Sequence, residues 1–313
     1  MNVLYSTDDK YLKICLTSIV SLLKYNKDVN IYIIENNLTK KMKNELKEII
    51  YSYKATVSFI SCEEICKDMK KNNEFSIAAY ARLFIEDKVD TNKILYIDAD
   101  TIIVSDLSKL WNTDIKDNYI GAVLDTVPYY LKEAVEMKEE DKYVNSGVML
   151  INLKKWREEN FKEKVLEYIK CHRYNVVHHD QGILNGICNG KIYILPPNNN
   201  VMPEFLMMNA DQIKKLYHLK EYYSNDEIDY AKNHPKIIHF LEKFYNRPWY
   251  YECTHPYKNN FLDIYLKNGG ELKNKPLSKK IKIRKFIYEN FPFSFFIFVE
   301  NILNIRRKKY IKK

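Results

Sequence analysis

Six short apolar runs, at residues 3–5, 31–34, 56–60, 93–97, 120–124 and 148–152, alternate with segments of helical period at 10–25, 39–51, 77–86 and 154–171. This alternation constrains the fold more than any other feature. Parallel strands cannot be joined by a tight hairpin, and a helix-length crossover supplies the return path. The expected architecture is α/β, a mostly parallel, doubly wound sheet with helices on its faces. In the first helical segment Leu12, Cys15, Leu16, Ile19, Val20 and Leu23 recur at helical spacing, which predicts one inner face against the sheet. With 313 residues and 46% apolar composition the core is ample, and the chain suits one large domain with an appendage or two modest ones.

Ligands of open α/β sheets sit beyond the carboxyl ends of strands. Three polar stretches fall there: Ser6-Thr-Asp-Asp9, Asp98-Ala-Asp100 and Asp125. No Gly-x-Gly-x-x-Gly and no Walker loop is present, which argues against a dinucleotide or P-loop site. Carboxylates two apart on an extended strand point to opposite faces, but where the chain turns at a strand end, as at Asp98 and Asp100, both can converge on one hard cation. Farther on, an apolar run at 236–240 carries His239 at its end and is followed by Lys243 and Arg247-Pro-Trp249. Two carboxylates and one imidazole suit Mn²⁺, with Mg²⁺ as the alternative, and leave positions open for two phosphate oxygens. Arg247 would add a fixed positive charge. Such a set fits an enzyme using a nucleotide-sugar donor, whose departing diphosphate gains negative charge.

The net charge of +9 is concentrated in the tail. Residues 271–313 hold thirteen Lys or Arg against Glu271, Glu289 and Glu300, leaving the rest near neutral. Aromatic residues at 286–299 lie between these basic groups, in a run too short to span a bilayer but composed like a segment that lies on an anionic membrane; the alternative is a solvated basic face packed partly on the main domain. Such a dense apolar cluster on an otherwise near-neutral body argues against nucleic acid as a partner. The six cysteines, including Cys62 and Cys66, lack zinc-site spacing and read as reduced thiols. No secretory leader is visible, so a cytoplasmic protein is expected, peripheral on the inner face of the membrane if the tail binds there.

Several ordered motifs resemble the retaining glycosyltransferases of family 8, which include glycogenin and bacterial lipopolysaccharide glucosyl- and galactosyltransferases. They are Tyr5-Ser-Thr-Asp-Asp9, Ala79-Tyr-Ala-Arg-Leu83, Leu95-Tyr-Ile-Asp-Ala-Asp100, Val144-Asn-Ser-Gly-Val-Met-Leu-Ile-Asn152, His179-Asp-Gln-Gly-Ile-Leu-Asn185 and Ile238-His-Phe240, within about residues 1–255. The resemblance implies a GT-A type, Rossmann-like mixed sheet flanked by helices, with a catalytic domain at 1–255 and a basic, aromatic, helical extension at 256–313. It also implies transfer of a hexose, glucose or galactose, from a UDP-sugar to a glycan or glycolipid acceptor. Asp98, Asp100 and His239 match the family's metal ligands. Asp8 resembles a uracil contact by hydrogen bonding and Tyr11 one by stacking, and Arg82, Asp125, Asn145, Asp180 and Gln181 resemble the residues that hold the donor sugar. Gln181 is expected beneath the anomeric carbon. One departure touches the phosphate site: a glycine-containing turn and Lys-Pro-Trp commonly follow the family's histidine, whereas this chain has Leu241-Glu-Lys-Phe-Tyr-Asn246 before Arg247. Lys243 and Arg247 are the phosphate candidates, and Glu242 in the longer loop is a source of repulsion unless Lys243 compensates it or it points to solvent.

Two rival classes are weaker. A haloacid-dehalogenase-like phosphohydrolase also places Asp-x-Asp after an apolar strand, but it follows with Thr where this chain has Ile102. A non-catalytic membrane-surface protein on a transferase fold would show a damaged metal triad, which is intact here. Among the remaining residues, Trp111 and Trp156 read as core anchors, His178 and His179 as surface or acceptor-side groups, Asp180 as a helix N-cap, and Ser224 to Glu227 as a capping box.

Overall fold

The computed structural model describes residues 1–65, 80–172 and 176–311; Cys66 and residues 77–79 of the expected third helix lie outside them. The chain begins with β1 (Asn2–Asp8), α1 (Leu12–Tyr25), β2 (Asn30–Asn36), α2 (Lys40–Ser52) and β3 (Thr56–Ser61). It continues through β4 (Lys93–Ile97), β5 (Thr101–Ile103), β6 (Ile120–Leu124) and β7 (Val144–Asn152), then α3 (Leu153–Glu158), α4 (Phe161–Cys171), α5 (His179–Cys188) and β8 (Ile192–Ile194). The last third holds α6 (Pro203–Met207), α7 (Ala210–Tyr217), α8 (Asn225–Asn233), β9 (Ile237–His239), α9 (Lys258–Tyr265), α10 (Lys279–Asn290) and α11 (Phe293–Ile311).

Seven strands form one sheet in the order β3-β2-β1-β4-β7-β6-β8. All run the same way except β7, which is antiparallel to both neighbours. The strand order turns back between β1 and β4, so their carboxyl ends diverge and open a crevice. Reversal of β7 brings its first residues, Asn145 to Gly147, beside the carboxyl end of β4, where Asp98 N–H donates to Gly147 C=O at 2.7 Å. A second, two-stranded ribbon pairs β5 with β9 in antiparallel register, with Thr101 opposite His239.

Three expectations need correction. Helix α1 is buried almost all round, because the ribbon and α9 cover the side away from the sheet. Its serines meet that side: Ser18 shares a hydrogen bond with Thr101 at 2.8 Å and Ser21 accepts from Ile103 N–H at 2.9 Å. The helix expected at 154–171 is two helices, broken where Asn160 takes a left-handed backbone (φ 52°) that no helix interior accommodates. Of the stretch expected at 77–86, the described part is the 3-10 turn Ala81–Phe84 after Tyr80. The capping box at Ser224 forms with both reciprocal bonds, and Trp156 is fully buried, stacked on Phe161 at 4.0 Å.

Candidate active site

The turn after β4 and the ribbon together assemble the acidic centre. Phe240 N–H donates to Asp100 C=O at 2.9 Å, which holds the end of β9 against the Asp98–Asp100 turn and brings His239 to both carboxylates. Ligand atoms of Asp98, Asp100 and His239 all lie within 4.8 Å of one another. Each carboxylate has one oxygen engaged and one turned inward. Asp98 Oδ1 accepts from Tyr96 Oη at 2.7 Å and Arg82 Nη1 at 3.1 Å, while its Oδ2 lies 3.7 Å from His239 Nε2. Asp100 Oδ2 faces Arg247 Nη2 at 3.4 Å, while its Oδ1 lies 3.3 Å from His239 Nε2.

These residues fit a divalent cation. His239 is 2% exposed, its Nδ1 is 3.1 Å from Asn200 Oδ1, and its buried Nε2 has no hydrogen-bond partner among the described residues. Asn200 thus fixes the ring so that Nε2 faces the carboxylates. Burial works against a charged imidazole, but Asp100 and Asp98 more than offset it and raise its pKa; the same field favours a cation. A side chain at 147 would fill the space, since a Cβ there would overlap His239 Cε1 and sit 2.8 Å from Asp98 Oδ2.

Beside this centre Arg82 ties three segments together. It pairs with Asp180 and Asp98, donates to Ser146 C=O at 3.1 Å and Ser146 Oγ at 2.9 Å, and lies over the Tyr96 ring. Burial opposes its charge, but Asp180, Tyr96 and Asp98 outweigh burial and hold it ionised. Asp180 is not the N-cap of α5: His178 takes that position with a left-handed backbone, and Asp180 sits in the first turn, facing Arg82. Gln181, next in that turn, accepts from Ser146 N–H at 3.0 Å and donates to Asp125 Oδ2 at 3.0 Å. Asn145 donates to the same oxygen at 3.1 Å, and its own carbonyl receives Asn200 Nδ2 at 2.8 Å. Asp125 is buried; desolvation pushes its pKa up, but Lys243, Asn145 and Thr126 together bring it below the usual carboxylate range.

Lys243, one of the two phosphate candidates, makes three polar contacts in the larger cavity. Its ammonium is 2.6 Å from Glu204 Oε1, 3.0 Å from Thr126 Oγ1 and 3.7 Å from Asp125 Oδ1, on the Asp125 side of the cleft. Arg247 stays beside Asp100 and donates to Tyr11 Oη at 3.0 Å. Asp8 receives Tyr11 N–H at 2.9 Å and so shapes the turn that presents Tyr11. Glu242 is paired with Lys275 at 2.9 Å, so the group that compensates it is Lys275 and not the Lys243 expected.

Two cavities meet at the acidic centre. A smaller one of about 350 Å³ is walled by Ser6, Tyr11, Tyr96 and Ala99; a larger one of about 950 Å³ contains Asp125, Asn145, Gln181 and His178. Arg82, Asp98, Asp100, Asp180 and Arg247 line both. The sequence reading missed Glu204, Asn200, Tyr96 and Gly147. It also missed the tail: every candidate site residue precedes Pro248, yet Ser278, Lys280, Ile281, Arg284 and Glu300 line the larger cavity.

The model of glycosyl transferase family 8 matches residues 2–253. The chain belongs to glycosyltransferase family 8. It is 31% identical over 298 residues to a Haemophilus influenzae protein that carries a provisional glycosyltransferase name, covering 93% of this chain and 83% of that one. It is 26% identical over 295 residues to lipopolysaccharide 1,2-glucosyltransferase of Escherichia coli, covering 90% and 82%. Among solved structures, galactosyltransferase LgtC with donor and acceptor sugar analogues superposes with a TM-score of 0.69 at 23% identity, over 88% of this chain and 98% of that one. The fold of this family 8 glycosyltransferase is accordingly the GT-A type mixed sheet.

Proposed function

We propose that the protein is a Mn²⁺-dependent, retaining hexosyltransferase that moves glucose or galactose from a UDP-sugar to a glycan or glycolipid acceptor. One observation carries the reading: the Asp98, Asp100 and His239 cluster sits at the waist between a nucleotide-sized pocket containing Tyr11 and a larger cleft containing Asp125, Asn145 and Gln181. A donor laid across that waist puts its diphosphate at the cluster, its base towards Tyr11 and its hexose towards Asp125. A divalent cation bound there would neutralise the charge that grows on the departing diphosphate.

The chain's own groups do the rest. Arg247 holds a second positive charge beside the phosphates. Arg82 fixes Asp98 and Asp180, while the Asp125, Asn145 and Gln181 network presents fixed dipoles to a sugar that becomes oxocarbenium-like as the anomeric bond breaks. Retention follows from attack on the face the diphosphate leaves, with a diphosphate oxygen taking the acceptor's proton, so no strong base is required. The reading extends to the tail, whose exposed Phe286, Phe291, Phe295 and Phe298 and many lysines would seat the enzyme on an anionic membrane.

The test is a hydrolysis screen of UDP-hexoses with Mn²⁺ or Mg²⁺. Turnover is expected with Mn²⁺ above Mg²⁺, lost in excess chelator and in Asp100→Asn while circular dichroism stays native. Full turnover in chelator would overturn the proposal.

A further inference from the structure

A backbone N–H only donates and an ionised carboxylate only accepts, so an amide side chain that meets either has its two ends identified. Asn145 meets both. Its Oδ1 accepts from Gly147 N–H at 3.0 Å and its Nδ2 donates to Asp125 Oδ2 at 3.1 Å. The same Oδ1 lies 2.8 Å from Asn200, which must therefore present its Nδ2 as the donor. That leaves the Asn200 carbonyl towards His239, 3.1 Å from Nδ1. Nδ1 accordingly carries a hydrogen, and the neutral ring keeps its lone pair at Nε2, on the side of Asp98 and Asp100. Asn200 is fully buried, and backbone pairing keeps it beside the ring: His239 N–H donates to Val201 C=O at 3.0 Å.

We propose that Asn200 is a positioning residue that couples the cation site to the hexose site: it sets the tautomer of His239 through a hydrogen-bond polarity fixed at Asn145. The proposal rests on the reading of the cleft as a cation-dependent UDP-hexose transferase site. Each end of the relay belongs to a different half of that site, His239 to the acidic cluster and Asn145 to the network with Asp125 and Gln181. A flipped Asn200 would set its carbonyl against that of Asn145 and its amino group against Nδ1–H, so two buried bonds would be lost together. One orientation is therefore held. A hexose that engages Asn145 acts on the imidazole through this one amide, and by linkage the cation acts back on the hexose.

The experiment measures Mn²⁺ affinity of the full chain without nucleotide, from the electron paramagnetic resonance signal of the free ion, so it does not depend on turnover. Asn200→Ala should weaken Mn²⁺ binding by about tenfold or more, the usual effect of removing the partner of a ligating imidazole. Asn200→Asp should bind Mn²⁺ within about twofold of the native protein, because a carboxylate still accepts from Nδ1–H. An asparagine that served packing alone would show no such rescue. Asn145→Ala changes no residue of the acidic cluster, yet it should weaken Mn²⁺ binding by about threefold or more, and in the Asn200→Asp background it should have no further effect, since the aspartate needs no polarity from residue 145. Should Asn200→Ala fail to fold, the Asn145→Ala comparison in the two backgrounds decides. Native affinity in a folded Asn200→Ala, no rescue by Asn200→Asp, or an Asn145→Ala effect that persists beside Asn200→Asp would overturn the inference. If the native protein binds Mn²⁺ but turns over no UDP-hexose, the transferase reading falls and the affinities still decide the role of Asn200; if it binds no Mn²⁺, both fall.

Discussion

Gln181 holds two opposite polar groups with one amide, and its chemistry follows from that. Its carbonyl is fixed by Ser146 N–H and its amino group by Asp125, so the side chain cannot turn without leaving buried partners unsatisfied. Under the proposed function, a dipole held this way would be preorganised for charge that appears only as the anomeric bond breaks. Gln181→Ala should therefore lower kcat for UDP-hexose hydrolysis by about 10-fold or more with UDP affinity nearly unchanged. Isothermal titration with UDP beside single-turnover rates checks this, and an unchanged chemical step would count against the role. Asp98, Asp100 and His239 were legible in the sequence because each is a polar residue at the end of an apolar run. Asn200 and Glu204 were not, since their roles depend on a loop folding back onto β7 and β9 across dozens of residues. Gly147 stood inside a quoted motif, but the reason for it, the closeness of His239, exists only in three dimensions.

Between elements, a buried ion pair joins the loop after β9 to α6. Glu204 is fully buried; its Oε1 receives Lys243, Thr126 Oγ1 and Tyr217 Oη, and its Oε2 has no partner among the described residues. Burial lowers the tendency of Lys243 to hold its proton, but Glu204 and Asp125 outweigh it and raise its pKa above the ordinary lysine value. Removing one member of such a pair strands the other charge. Lys243→Met should cost about 3–5 kcal/mol of stability, and the double change Lys243→Met/Glu204→Met should recover much of it. Denaturant titration of the single and double variants would show it, and equal losses in both would mean the pair is not the cause. At this scale the sequence conveyed strand and helix identity through periodicity, and the family resemblance implied a mixed sheet without saying which strand reverses. Helix breaks were harder to see: Asn160 is not a residue type that forbids a helix, and α1 looked one-sided because serine and threonine on its other face are polar in composition yet buried by their bonds to the ribbon.

For the molecule as a whole, the tail that the sequence set apart from the site packs against it. From composition, residues from 271 onward read either as a basic, aromatic anchor or as a basic face packed partly on the main domain, in both cases without a part in the site. In the fold, Phe296 is buried against Phe244 and Tyr288, Tyr288 donates to Met207 C=O, and Arg284 reaches both Glu300 and Tyr217, which in turn donates to the Glu204 that holds Lys243. No helix among the described residues is long and apolar enough to cross a membrane. Deleting residues 278–313 should therefore do more than release the protein from anionic vesicles: it strips one wall from the larger cavity and uncovers Phe244, so both thermal stability and UDP-hexose turnover should fall. Phe286→Ser/Phe298→Ser separates the two effects, because these rings are 58% and 60% exposed and neither lines the catalytic cleft. That variant should lose sedimentation with anionic vesicles, most clearly at low salt where the lysines act with the rings, and keep native turnover and melting temperature. A truncated chain with full turnover would show that the tail is only an anchor. Undiminished vesicle binding by the double-serine variant would show instead that these rings do not meet a membrane.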